Sequence, residues 1–306
     1  MCGVIGLQLR GELAAGTGGA AGGRSLGALL TAMTSHLCER GPDSAGFAVY
    51  GDPELTPPGR STVSLLAATA PPVADVVARL APLLPDAAAR SRGQALLVSA
   101  AGSPGAVLAA VRSTLPEVAV TGHGTALAVL KGIGDPSALT AEFDLAAATG
   151  WQGVGHTRMA TESAVTAAHC HPFAVAPDLA FVHNGSFANH ATIRRELVAD
   201  GVVFDSDNDS EVGARFLARR LDQGDDLEKA LRVLTETFDG FFTLVVATAD
   251  SLAVVRDRVA CKPALVAVTA DYVAIASEYR ALSVLPGIAS ARISEPAPEE
   301  VLVWSR

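Results

Sequence analysis

Met1-Cys2-Gly3-Val4-Ile5-Gly6-Leu7-Gln8-Leu9 opens the chain and bears on both fold and chemistry. Residues 4–9 are a short apolar run that predicts a buried strand. Cys2 stands between an initiator methionine and a glycine, a context in which the methionine is usually removed. A cysteine left at the terminus carries a thiol and a free α-amine together. Such an amine titrates near about 8 and a thiol near about 8.5, so the amine can take the thiol proton, directly or through water. Taken alone, Met-Cys-Gly fits a buried structural cysteine better than a nucleophile.

Working outward, residues 11–24 hold six glycines and predict a flexible loop. Gly16-x-Gly18-x-x-Ala21 and Gly18-x4-Gly23-Arg24-Ser25 approach nucleotide-binding patterns, but Arg24 stands where a phosphate loop needs lysine, and no convincing acidic ribose ligand follows. The segment reads as a linker. Leu26, Leu29, Leu30, Met33 and Leu37 then form one helical stripe, with Ser25 as N-cap and Gly41-Pro42 as stop. Residues 45–50 read as strand. Residues 51–150 are alanine-rich and proline-punctuated, with helical pieces at 73–84 and 103–113 and strands at 63–68, 95–99 and 125–130, a small α/β insertion. Beyond them come strands at 153–157 and 179–183, then helices at 191–199, 211–221 and 227–238. Four β-rich runs follow at 241–247, 252–255, 265–268 and 273–276, and residues 301–304 could close a sheet.

The 306 residues suffice for roughly two domains at about 150 residues each. With 49% hydrophobic and 18% charged residues the chain has the composition of a folded protein. A net charge of −9 argues against nucleic acid and anionic membranes as partners. Apolar stretches such as 241–249 fall short of a membrane span, and the N-terminus lacks the marks of a signal peptide, so a cytoplasmic protein is expected. Cys2, Cys38, Cys170 and Cys261 form no C-x-x-C pair, so neither a disulfide framework nor a zinc site is expected.

Five further motifs change the reading of Cys2. They are Arg40-Gly41-Pro42-Asp43-Ser44-Ala45-Gly46, Gly155-His156-Thr157-Arg158-Met159-Ala160-Thr161, His171-Pro172-Phe173, His183-Asn184-Gly185 and Asn208-Asp209-Ser210-Glu211. In this order, behind Cys2-Gly3, they resemble the glutaminase domain of class II glutamine amidotransferases, which are N-terminal-nucleophile hydrolases. The resemblance covers residues 2–50 and about 150–285. It implies that Cys2 attacks the side-chain amide of L-glutamine, with Asn184 and the Gly185 N–H as oxyanion hole. It further implies that Arg158 holds the α-carboxylate, Asp209 the α-ammonium, and Thr161 a hydroxyl contact. Arg40 and Asp43 would buttress the N-terminal residue, although a plain Arg-Gly-Pro-Asp turn explains them equally well.

The chain departs from relatives at Met159, where Trp or Tyr is common, and at Glu162, where some carry histidine. His171 is expected to be a hydrogen-bonded structural histidine, His123 a turn residue, and Cys38 and Cys170 packed thiols. His169, Cys170 and His171 lack a second ligand group for a metal. The implied fold is α+β, a four-layer αββα N-terminal-nucleophile sandwich over residues 1–306, with 51–150 inserted as an α/β lobe. No ammonia-consuming domain is recognisable, so the resemblance implies a stand-alone subunit. Separate glutamate synthase-like or N-methylglutamate synthase-like subunits would use the ammonia, and this chain would need no metal, flavin or other cofactor. An amidase for another amide and a glutamine sensor with little hydrolysis are the competing readings. The Arg158 and Asp209 pair disfavours the first, and an intact Cys2, Asn184 and Gly185 the second.

Overall fold

Alternation along the strands sorts apolar side chains onto opposite faces. In Gly240–Ala247, Phe242, Leu244 and Val246 enter one core while Val245 and Ala247 enter another. In Ser44–Tyr50, Ala45, Phe47 and Val49 part in the same way from Ala48 and Tyr50. The computed structural model describes residues 2–14, 25–159 and 166–306, and in these the strands assemble into three sheets.

The first sheet has seven antiparallel strands in the order Arg292–Ser294, Leu265–Val268, Tyr272–Ala276, Gly3–Leu9, Gln152–Arg158, Ser44–Tyr50 and Leu127–Ile133. The second has four, Val301–Ser305, Ser251–Arg256, Gly240–Ala247 and Ala180–Phe187, also antiparallel. Val4, Ala48, Val154 and Val273 from the first share one buried cluster with Val182, Val245 and Val254 from the second. Behind the seven-stranded sheet, Leu7 and Phe47 pack with Leu26, Leu30 and Met33 of the helix Leu26–Ser35. Behind the four-stranded sheet, Phe242 and Leu244 pack with Val212 and Leu217 of Asp209–Asp222 and with Leu231 and Leu234 of Leu227–Thr237. The fold is thus mixed α+β.

Two buried carboxamides link the sheets. Gln8 Nε2 donates to Gln152 Oε1 at 3.1 Å and to Trp304 O at 3.3 Å, and Gln152 Nε2 donates to the carbonyls of Thr248 and Ser251. These amides tie the seven-stranded sheet to the four-stranded one, far along the strand from Cys2.

The 51–150 segment divides. The third sheet, Ala88–Arg92, Ala95–Ala100, Ser61–Leu66 and Val120–Gly124, carries the helices Val73–Leu80 and Pro104–Thr114 and encloses its own core of Val63, Leu80, Val98 and Val111. Leu127–Ile133 instead pairs with Ser44–Tyr50 in the seven-stranded sheet, and Leu139 of Pro136–Glu142 packs with Leu26 and Leu30. The lobe is therefore narrower than the composition suggests, because alanine-rich texture continues into residues that return to the main core.

Two further expectations are corrected. Gly11–Ala14 is a turn of helix rather than loop, while the rest of that loop, residues 15–24, lies outside the described residues. His123 lies within the strand Val120–Gly124, not in a turn. The Ser25 cap is present, its Oγ accepting from Ala28 N at 3.2 Å.

Phe47 is fully buried and meets Phe143 edge-on at 6.5 Å between ring centroids. Phe47→Ala is expected to cost about 3–5 kcal/mol, read as a fall in the urea midpoint at unchanged slope.

Candidate active site

Cys2 immediately precedes the strand Gly3–Leu9, next to the centre of the seven-stranded sheet. Its Sγ donates to Met159 O at 3.8 Å, at the end of the neighbouring strand Gln152–Arg158. Its carbonyl accepts from Arg40 Nε at 3.1 Å and from Asn184 Nδ2 at 3.4 Å. Beyond Gly3, Val4 N donates to Ser277 Oγ at 2.9 Å and Ser277 N to Val4 O at 3.0 Å, so the strand is held close behind the cysteine.

Arg40 ends the short helical turn Cys38–Arg40 and pairs with Glu278 at 2.7 Å. Glu278 also holds Arg280 at 2.5 Å, and Arg280 reaches Glu39 at 3.4 Å. Burial pushes the Glu278 carboxyl up, but Arg40 and Arg280 outweigh it and hold the carboxyl below its usual range. Gly41 lets this turn lie against the next strand, since an added Cβ would sit 2.4 Å from the carbonyl carbon of Thr157. Asp43 N then donates to Arg158 O at 3.0 Å, and Asp43 O accepts from Gly134 N at 3.0 Å. Arg158 ends its strand, buried and in register with Ser44.

Asn184 and Gly185 lie in Ala180–Phe187, opposite Thr243 and Phe242. Gly185 has φ +154°, and an added Cβ would fall 2.1 Å from Phe241 O, so no side chain fits there. Asp209 is the first residue of Asp209–Asp222, whose N-cap Asn208 accepts from Ser210 N at 2.8 Å. The Asp209 carboxylate accepts from Phe187 N at 2.9 Å and from Ser210 Oγ at 3.2 Å, and Ser210 Oγ is 2.8 Å from His183 Nδ1.

The structure therefore bonds Arg40 and Asn184 directly to Cys2 and brings Arg158 alongside through its neighbour Met159. Asp43 joins through the backbone of Arg158, and Asp209 through Phe187, three residues past Asn184. Thr161 lies outside the described residues. Sequence reasoning missed Glu278 and Ser277, which no motif marks, and left His183 and Ser210 without roles although both lie inside quoted motifs.

Beneath these residues sit three buried imidazoles. His156 and His171 are 4.3 Å apart between ring centroids, His171 and His183 are 6.4 Å apart, and His183 stacks on Phe187 at 4.2 Å. His171 has no hydrogen-bond partner on either ring nitrogen among the described residues, so it is held by ring packing rather than by the hydrogen bond expected of it. Burial pushes all three below the usual histidine range, His156 to about 3, and the neighbouring imidazoles reinforce this for His156 and His171. Among the described residues no group of three or more His, Cys, Asp or Glu is placed to hold a metal ion. His169 instead contacts Thr166 Oγ1 at 2.6 Å and Asp207 at 2.5 Å. No helix among the described residues is long and apolar enough to cross a membrane.

A family model for a glutamine amidotransferase domain matches residues 156–284. Over 307 aligned residues, 99% of this chain and 98% of the relative, the chain is 42% identical to the glutamine amidotransferase-like protein GlxB of Rhizobium meliloti (strain 1021). The chain belongs to the class II glutamine amidotransferase family. This amidotransferase-family chain is also 37% identical to the glutamine--fructose-6-phosphate aminotransferase (isomerizing) of Thermococcus kodakarensis, over 45% of its own length and 24% of that protein. Its fold matches the glutamine phosphoribosylpyrophosphate amidotransferase of B. subtilis with a TM-score of 0.61 at 17% identity, over 99% of this chain and 47% of the solved one. The family chain thus spans about half the length of that solved protein.

A histidine held neutral when folded opposes folding in acid: the unfolded chain protonates below about pH 6.5 while the folded chain does not. Stability of this amidotransferase-family chain should be level above about pH 7. It should then fall toward pH 4 by up to about 1.4 kcal/mol per pH unit for each buried imidazole. Urea unfolding across that range, with a shallower slope in His156→Phe, checks this.

Proposed function

We propose that the chain is a glutaminase subunit that hydrolyses L-glutamine to L-glutamate and ammonia. The observation that carries the reading is the convergence of Arg40 Nε and Asn184 Nδ2 on the Cys2 carbonyl, at the head of a central strand. The family supports it, as does the glycine-only geometry beside Asn184. On this reading Met1 is removed and the Cys2 α-amine accepts the thiol proton. The thiolate forms a bond to the glutamine Cδ, and the amide π-electrons move onto oxygen. Asn184 Nδ2 has two donors, so one can hold the Cys2 carbonyl while the other meets the oxyanion beside the Gly185 N–H. The C–N bond then breaks as the ammonium returns its proton to the leaving amine. Ammonia departs, and water cleaves the γ-glutamyl thioester to glutamate and free thiol.

Arg158 would hold the substrate α-carboxylate as a bidentate fork, and Asp209 the α-ammonium. Thr161 would add a hydroxyl contact, while Arg40 and Asp43 position the nucleophile. The two sheets with helices on their outer faces correspond, on this reading, to a four-layer αββα sandwich, to which residues 61–124 add a lobe. The subunit would work in the cytoplasm with no cofactor of its own. It would pass ammonia to a separate synthase subunit, because free ammonia is protonated at neutral pH and lost as a nucleophile.

Intact mass before and after treatment with 6-diazo-5-oxo-norleucine tests the mechanism. Wild type should lack one methionine and gain one adduct, and Cys2→Ala should gain none; a retained Met1 refutes the N-terminal nucleophile, and a processed chain without an adduct favours a sensor. In steady-state assays Asn184→Ala should lower kcat by about 10²–10³ with little change in KM, whereas Arg158→Lys should act mainly by raising KM.

A further inference from the structure

A cavity of about 540 Å³ opens where the lobe meets the seven-stranded sheet, walled by Leu108, Leu115 and Val118 of the lobe and by Phe173 and Lys131 of the main body. Lys131 belongs to the strand Leu127–Ile133 and is 5% exposed. Its Nζ donates to Cys170 O at 2.9 Å and lies 5.3 Å from the centre of the Phe173 ring. No carboxylate among the described residues lies within ion-pair distance of it. Burial holds this ammonium down to about 8, which leaves it mostly charged at neutral pH.

The other charges on the wall are already matched. Glu211 accepts from Asp205 N at 2.9 Å, from Ser206 N and Oγ at 2.7 Å each, and from Arg215 at 3.1 Å. Asp205 takes Arg215 at 2.7 Å and Arg112 at 3.1 Å. Glu117 is held by Arg79 at 2.6 Å, and burial keeps His123 neutral by lowering it to about 4. Two carboxylates thus meet two guanidiniums, and Lys131, which feels Glu211 and Asp205 only from beyond ion-pair distance, remains the wall charge with no ion-pair partner among the described residues, beside the apolar patch of Leu108, Leu115, Val118 and Phe173. Thr121 adds a buried hydroxyl with no partner among the described residues.

One cation without an ion-pair partner, next to an apolar patch, suits one anionic charge on an apolar body. A dianion would leave a buried charge unmatched, and a zwitterionic amino acid would find no free carboxylate for its ammonium. We propose that this cavity binds a small monocarboxylate, its carboxylate toward Lys131 Nζ and Thr121 Oγ1 and its apolar body against Leu108, Leu115, Val118 and Phe173. The site lies apart from Cys2 and requires no turnover there. It does adjoin the candidate active site, for Lys131 grips a carbonyl next to His171, and Glu211 shares the first helical turn with Asp209.

Calorimetric titration of the full chain with phenylacetate and octanoate, beside phenylacetamide and octanamide, tests the site. At least one acid should bind with a Kd below about 1 mM, and its amide at least about tenfold more weakly. Lys131→Met should erase the preference for acid over amide. Leu108→Trp, which fills the cavity without touching the charge, should abolish binding and decides the matter if Lys131→Met does not fold. Failure of both acids to bind wild type, equal binding of acid and amide, or wild-type affinity in Leu108→Trp would overturn the proposal.

Discussion

Two side chains from different parts of the fold grip one carbonyl oxygen, that of Cys2. Arg40 comes from the turn that leads into a strand of the seven-stranded sheet, and Asn184 comes from the edge strand of the four-stranded sheet. A residue at the head of a strand would otherwise fray, because its backbone has neighbours on one side only. Here its position is fixed only if the two sheets stack at the right depth and offset. The apolar layer of Val4, Val154, Val182 and Val245 is therefore part of the site's geometry as well as of its stability. Glu278 extends the constraint, since Arg40 can aim Nε at Cys2 while its Nη1 is held at 2.7 Å.

Under this grip the molecule places uncharged imidazoles where charge would be costly. His156, His171 and His183 are buried with several ring nitrogens unpartnered among the described residues, and stacking substitutes for hydrogen bonding. Charged side chains nearby pair with one another, in the Arg40, Glu278 and Arg280 chain on one side and in the Arg112, Asp205, Arg215 and Glu211 network on another, while Lys131 and Arg158 lie buried beside the imidazoles and add to the pressure that keeps His171 uncharged.

Much of this is legible in the amino-acid sequence. The helix Leu26–Ser35 follows from its stripe and cap, and the late β-rich runs follow from their length and turn residues. The motif order groups Cys2, Arg40, Arg158 and Asn184, and the fold puts them at one strand end. What stayed hidden has physical reasons. Ala88–Arg92, with the sequence AARSR, is half exposed and carries no alternation, so it pairs without announcing itself. Leu127–Ile133 is buried nearly throughout, and such a run looks alike whichever sheet it joins. Glu278 gains its meaning only from Arg40, 238 residues away in sequence, a pairing that no local pattern encodes.

The Gln8 and Gln152 amides give the stacking of the sheets a zero point. Each strand residue advances about 3.4 Å, so a slip of one place would carry Cys2 away from Asn184 by more than a hydrogen-bond length. The same slip would part the two carboxamides from the carbonyls of Trp304, Thr248 and Ser251 across the gap, at about 1–3 kcal/mol for each unmet group. Valine against valine specifies such an offset less sharply, since apolar attraction has no direction of its own. The glutamines do specify it, and in that sense Gln8, six residues along the strand from the thiol, and its cross-strand partner Gln152 calibrate the reach of the side chain that meets it.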